Sequence, residues 1–211
     1  MYQRLAAVLA LTFTLITGLS GAAVAAPVRI LAFGDSLMAG YGLPEGDGFV
    51  PQLQQALEKM GREVTVINGG LSGDTTAGGL SRLDWMLADK PDVVILELGA
   101  NDMLRGLNPD EARANLDATI QRIKESGAKV LLAGMLASRN MGADYQERFD
   151  AIYPDLAATH AVPLYPFFLE GVAAKPELNQ QDGLHPTKDG IAVIVGNILP
   201  YVEKLLDAPH S

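Results

Sequence analysis

The sequence predicts an α/β domain in which a parallel β-sheet carries helices on both faces. Two observations predict it. Five short apolar runs, rich in branched residues, recur along the chain: 28–33 (VRILAF), 64–68 (VTVIN), 92–98 (DVVILEL), 129–134 (KVLLAG) and 162–166 (VPLYP). They do not alternate polar with apolar, as strands with one wet face do, so both faces should be covered. Helical patterns lie between them, and strand–helix units in series imply parallel pairing with right-handed crossovers. No repeat or linker-like stretch interrupts the 211 residues, so residues 26–211 are expected to form one domain behind a leader.

The leader comes first. Arg4 precedes the apolar stretch LAAVLALTFTLITGLSGAAVA, which turns small at Gly18 and ends in Ala23-Val24-Ala25. A basic start, an apolar centre and an A-x-A end describe a secretory signal peptide over residues 1–25, so a periplasmic or secreted protein is expected. The stretch approaches the ~20 residues that span a bilayer. Gly18, Ser20 and Gly21 argue against an anchor, and no stable membrane insertion is expected after cleavage.

The first strand stops abruptly at Gly34-Asp35-Ser36. Beyond it, Phe49, Leu53, Leu57 and Met60 share one helical face. The second strand runs into a polar cluster from Asn68 to Thr76, and the third into Gly99-Ala100-Asn101-Asp102. The next helix aligns Ala112, Leu116, Ile120 and Ile123, with Asn108 as its cap and Pro109 at its first position. After the fourth strand, a helical pattern from Tyr145 to His160 is interrupted near Pro154. The last helix, Gly190 to Leu206, carries Ile191, Ile194, Val195, Ile198 and Val202 and should bend at Pro200. Met38, Met135, Met141 and Trp85 read as packing residues.

Composition narrows the function. The 16 basic and 25 acidic residues leave a formal charge of -9, which repels phosphate backbones and argues against a nucleic-acid partner. The chain has no cysteine, which excludes disulfides, thiolate metal sites and a cysteine nucleophile.

In open α/β sheets, ligands bind beyond the carboxyl ends of the strands. The polar clusters after the first three strands lie there, and a fourth, QDGLHP (181–186), precedes the final helix. Ser36 is the candidate nucleophile, and a serine hydroxyl is weak until a base takes its proton. Of the histidines, His210 adjoins the C-terminus and His160 ends a helical pattern, which suits a surface or capping residue. His185 remains, in Asp182-Gly183-Leu184-His185-Pro186. There the glycine permits a tight turn, and Pro186 steers His185 away from helical dihedrals. Such a turn can return the Asp182 carboxylate to the imidazole, fixing its tautomer and stabilising the imidazolium. Donors for an oxyanion are available from the Ser36 amide, the Gly73 amide in GLSGDTT and the Asn101 side chain. Asp35, Asp74 and Glu97 read as loop-organising residues.

These blocks resemble the GDSL or SGNH hydrolases. FGDSL is similar to the family's first block, with Ser36 as nucleophile, and GLSGDT to the second, with Gly73 as oxyanion donor. LGAND is similar to the third, with Asn101 as side-chain donor, and DGLHP to the last, with Asp182 and His185. The resemblance runs through nearly all of the chain after the leader, and is greatest to a bacterial branch of secreted arylesterases, lysophospholipases and acyl-CoA thioesterases. It implies a three-layer, flavodoxin-like fold with a five-stranded sheet. It also implies hydrolysis of small-molecule or lipid esters at a serine, without a cofactor. Where that branch usually carries a proline-containing loop of the LPxNYG kind, this chain has LASRNMGADY (136–145). Leu136, Met141 and Tyr145 of that segment are expected at the acyl groove, with aryl and short-to-medium acyl esters favoured over long-chain acyl-CoA. No G-x-S-x-G elbow surrounds any serine, which disfavours an ordinary α/β-hydrolase.

Three rivals share these residues. A carbohydrate O-deacetylase would use the same site. A metal-dependent phosphoesterase built on Asp35, Asp182 and His185 is short of ligands, so no metal is expected. A non-catalytic binding protein on the same fold would not react with a fluorophosphonate.

Overall fold

The computed structural model describes residues 26–209; the expected leader over 1–25 and His210 lie outside them. Strands β1 (Val28–Gly34), β2 (Val64–Gly70), β3 (Val93–Glu97), β4 (Lys129–Ala133) and β5 (Leu164–Tyr165) form one sheet in the order 2-1-3-4-5. Every pairing is parallel. The sequence reason is burial on both faces: Ile30 to Phe33 and Val93 to Glu97 are buried without a break. Glu97 is the polar exception in that run, and it lies beneath the site.

Helices cover both faces. On one, α2 (Phe49–Lys59) packs against α8 (Lys188–Asp207); on the other, α3 (Thr76–Leu87), α5 (Pro109–Glu125) and α7 (Ile152–His160) pack side by side. Asn108 caps α5 as expected, its side chain accepting from the Asp110 N–H at 3.1 Å. Such a cap contributes about 1 kcal/mol. Short helices α1 (Ser36–Ala39) and α4 (Ala100–Leu104) follow β1 and β3, and α6 (Ala143–Asp150) follows β4.

The strand order positions the site. From β1 the chain moves outward to β2, then crosses back to β3 and continues to β4 and β5. The crevice opens where that direction reverses, between the carboxyl ends of β1 and β3. Ser36 and Asn101 begin the chain segments beyond those two ends.

Several elements differ from the sequence expectation. The helix α3 was not visible as a periodic pattern, because its buried positions include Thr76 and Gly79 beside Leu83 and Met86. Gly79 is there for fit: a Cβ on it would stand 2.3 Å from Leu98 Cδ1. Trp85 falls out of phase with that buried set and is 77% exposed, so it is not a packing residue. Met60 sits past the end of α2 as its C-cap and is also exposed, unlike Phe49, Leu53 and Leu57. The break between α6 and α7 comes at Ala151, not at Pro154. Pro154 lies in the first turn of α7, where a missing N–H leaves no intrahelical bond unmade. Likewise α8 begins at Lys188, capped by Thr187, and runs through Pro200.

Candidate active site

Gly34, the last residue of β1, is pressed against β3. A Cβ on it would meet the Glu97 carbonyl oxygen and Met38 Cγ at 2.4 and 2.6 Å. The chain then turns at once. Asp35 caps α1, its Oδ1 accepting from the Leu37 N–H at 3.0 Å, and Ser36 opens the helix. Gly40 closes that single turn with a φ of 77°, in the left-handed region where a side chain would strain the backbone.

Ser36 Oγ lies 2.8 Å from His185 Nε2, and His185 Nδ1 lies 2.7 Å from Asp182 Oδ2. The sequence-predicted nucleophile, base and orienting carboxylate therefore stand in line. Asp182 Oδ1 also accepts from the backbone N–H groups of Leu184 and His185, at 2.9 and 3.0 Å. The His185 amide, the His185 ring and the Leu184 amide together hold the Asp182 carboxyl down at about 2. It is ionised throughout the range in which an imidazole can act as base.

The base is held from both sides. The Gln180 N–H donates to the His185 carbonyl at 2.7 Å, and Gln180 Nε2 donates to the carbonyls of Pro186 and Tyr41. The Tyr41 ring packs on the imidazole with centroids 4.6 Å apart. Sequence reasoning missed Tyr41 and Gln180. The only signal for Tyr41 was an aromatic residue placed between Gly40 and Gly42, just beyond the nucleophile.

The oxyanion candidates occupy neighbouring loops. Asn101 sits in the first turn of α4, and one N–H of its side-chain amide donates to Asp35 Oδ2 at 2.9 Å. The second N–H of that amide donates to no group among the described residues. Gly73 has a φ of 81°, and its carbonyl accepts from Arg105 Nη2 at 2.6 Å. The backbone amides of Ser36 and Gly73 donate to no group among the described residues. Asp102 fastens these loops together, its carboxylate accepting from the Thr76 N–H at 2.8 Å and the Thr76 hydroxyl at 2.7 Å. The loops beyond β2 and β3 are thus tied to each other.

Beneath the nucleophile lies an acidic pair. Asp35 is fully buried, and desolvation lifts its carboxyl to about 6 against the hydrogen bonds from Leu37 and Asn101. Glu97 Oε2 accepts from the Asp35 N–H at 3.4 Å, while Oε1 is buried without a partner among the described residues. Burial, then the charge on Asp35, pushes Glu97 well above the ordinary carboxylate range and favours its neutral form. Asp74 does organise its loop, through a 2.7 Å ion pair with Arg82. The Arg82 guanidinium also donates to the carbonyls of Gly69 and Gly34 and lies over the Phe33 ring at 4.3 Å. Arg82 therefore joins α3 to the ends of β1 and β2, a role nothing in the sequence announced.

A cavity of about 540 Å³ opens beside Ser36, Asn101 and His185. Its apolar walls come from Met103, Met135, Leu136, Phe167 and Leu169. Of the three residues expected at an acyl groove, Leu136 borders this cavity and Met141 and Tyr145 do not. Tyr145 instead stacks on Phe149 at 5.9 Å, drawn into the α6 packing face, and Met141 packs against the core near Gly106. The segment after β5 supplies Phe167 and Leu169 in their place, a contribution the sequence reading did not assign. Met135 is both buried and a cavity wall. His160 is the last residue of α7, whose C-cap is Ala161, and it ties α7 to α5 with its Nε2 2.7 Å from Asp117 Oδ1.

Comparison with known proteins shows the family and the fold. A family model described as GDSL-like Lipase/Acylhydrolase family matches residues 32–193. An arylesterase of Vibrio mimicus is 48% identical over 166 residues, covering 78% of this chain and 83% of the relative. The "Thioesterase 1/protease 1/lysophospholipase L1" of Escherichia coli K12 is 40% identical over 166 residues, covering 78% of each. Among solved structures, a crystal structure of TesA superposes with a TM-score of 0.81 at 41% identity, over 84% of this chain and 99% of the other.

Proposed function

This chain belongs to the GDSL-like lipase/acylhydrolase family, and we propose that it cleaves carboxylic esters through an acyl-enzyme on Ser36. The observation that carries the reading is the unbroken hydrogen-bonded line from Ser36 Oγ through His185 to Asp182, at 2.8 and 2.7 Å. As Ser36 Oγ attacks the acyl carbonyl, His185 Nε2 takes its proton and Asp182 stabilises the resulting imidazolium. The negative charge developing on the carbonyl oxygen meets the Ser36 amide, the Gly73 amide and the free N–H of Asn101. Collapse breaks the bond to the leaving group, which receives the proton from His185. A water then gives a proton to His185 and attacks the acyl-serine, and as the carboxylic acid is released Ser36 Oγ takes that proton back from His185.

The apolar walls of the cavity suit acyl chains, and its volume is ordinary for a small ligand. Aryl and short-to-medium acyl esters are the favoured substrates, with thioesters and lysophospholipids next, in keeping with the relatives' names. The leader motif over residues 1–25 supports work outside the cytoplasm. No helix among the described residues is long and apolar enough to cross a membrane.

Turnover of p-nitrophenyl butyrate tests the reading. Ser36→Ala and His185→Ala should each lower kcat by several orders of magnitude while the thermal transition survives, because the relay acts as a unit. Near-normal turnover in folded Ser36→Ala protein would refute it.

A further inference from the structure

Five large apolar side chains stand exposed on four segments: Tyr41, Leu71, Leu104 at the end of α4 with Leu107 just beyond it, and Leu184. Tyr41 covers the His185 ring, and Leu104 and Leu184 border the cavity. Leu71 follows the end of β2, its N–H donating to the carbonyl of Gly34, two residues before the nucleophile. Leu107 closes the turn after α4, its N–H donating to the Asp102 carbonyl. The other large apolar residues exposed among the described residues are Met60, just past α2, Trp85 on α3 and Tyr201 on α8. Singly exposed leucines are ordinary, whereas several on adjoining segments mark an interaction surface, and the Arg105–Gly73 bond joins the segment of Leu71 to that of Leu104 and Leu107. Leu71 and Leu107 border neither the cavity nor the Ser36 relay, so substrate binding does not account for their exposure.

We infer that this rim docks on the surface of a zwitterionic phospholipid aggregate, with the cavity mouth turned towards the lipid. The inference rests on the ester-hydrolase reading for what the surface would supply. A protein partner seated on the rim would shut Ser36 off from its substrate, whereas a lipid surface delivers substrate through the contact itself. Charge chooses the headgroup. A chain of formal charge -9 is repelled by an anionic membrane. Arg105, exposed between Leu104 and Leu107, pairs with no carboxylate among the described residues, and a guanidinium suits a phosphate oxygen. A zwitterionic headgroup offers that phosphate without a net negative field. The leucines and Tyr41 then enter the boundary between headgroups and acyl chains, as apolar faces of surface-bound proteins do.

The test is sedimentation with vesicles of ether-linked phosphatidylcholine, which the enzyme cannot hydrolyse, in parallel with turnover of p-nitrophenyl butyrate. The wild-type protein should pellet with these vesicles and less with phosphatidylglycerol ones. Leu71→Asp combined with Leu107→Asp should weaken vesicle binding by about tenfold or more, since charges replace the inserted groups. Butyrate turnover should stay near wild type. Absence of vesicle binding by the wild type, equal binding by the double variant, or preference for the anionic vesicles would overturn the inference. So would a dimer in solution that the double variant abolishes, because the rim would then be covered by a second copy. If the double variant loses its thermal transition, Leu107→Ser alone carries the same expectation. Vesicle binding without butyrate turnover would overturn the ester-hydrolase reading instead.

Discussion

Asp182 and Asp35 are both aspartates beside the nucleophile, and their surroundings drive them in opposite directions. Asp182 receives three hydrogen bonds within its own turn and is held at about 2, so its charge persists wherever His185 can act. Its backbone bonds keep the turn in shape independently of the ring. Asp182→Asn should therefore retain more activity than His185→Ala in steady-state assays; equal loss would mean that Asp182 does more than orient. Asp35 is buried, and its carboxyl rises to about 6. A carboxyl raised in the folded state binds more protons than in the unfolded chain, so it costs stability as pH rises from about 4 to about 6 and above. Asparagine at this position keeps the α1 cap but sets one amide against another at Asn101. Asp35→Asn should lower kcat with little change in KM, yet melt higher than wild type at pH 8, with the gain shrinking towards pH 4. A variant less stable than wild type across that whole range would contradict the assignment of Asp35. Asn101→Ala should lose about 10²–10³ in kcat, as removal of one oxyanion donor does. An effect confined to KM would move Asn101 to ground-state binding.

At the scale of elements, short connections do the positioning. Gly70, the last residue of β2, lies under α1: a Cβ on it would stand 2.2 Å from the Ala39 nitrogen, a backbone atom that cannot yield. Gly70→Ala should lift α1 and its serine, lowering both melting temperature and kcat; unchanged kinetics would show that α1 adapts. The bond from Arg105 to the Gly73 carbonyl links two oxyanion loops across 32 positions. The strands were legible in the sequence because burial on both faces leaves continuous apolar runs. The helix α3 was not, because two of its four buried positions are threonine and glycine. The relay of Ser36, Asp182 and His185 was legible because the chain has only three histidines and Asp182 stands three residues before His185. The cavity wall was legible only at Leu136, because Met141 and Tyr145 are claimed by packing, which no local pattern reports. Phe167 and Leu169 reach the cavity through the short return after β5, and only the assembled sheet brings that return to the site. An apolar but bounded cavity predicts that kcat/KM along a series of p-nitrophenyl esters peaks at short-to-medium acyl length. A value still climbing at palmitoyl would contradict it.

At the scale of the whole molecule, the 2-1-3-4-5 order creates a single reversal, and the chain places its chemistry there. Ser36 comes from the β1 end, Asn101 from the β3 end, and His185 from a loop 149 positions beyond Ser36. The order of strands could not be read from five similar runs, yet the rim could, since every parallel arrangement gathers the carboxyl ends on one edge. The central claim is that Ser36 is a nucleophile activated by His185. Peptide mass mapping after treatment with a fluorophosphonate measures this most directly. One adduct, on Ser36, should form in the wild-type protein and be strongly suppressed in His185→Ala. No adduct on the folded wild-type protein, or an adduct on another residue with Ser36 unmodified, would contradict it.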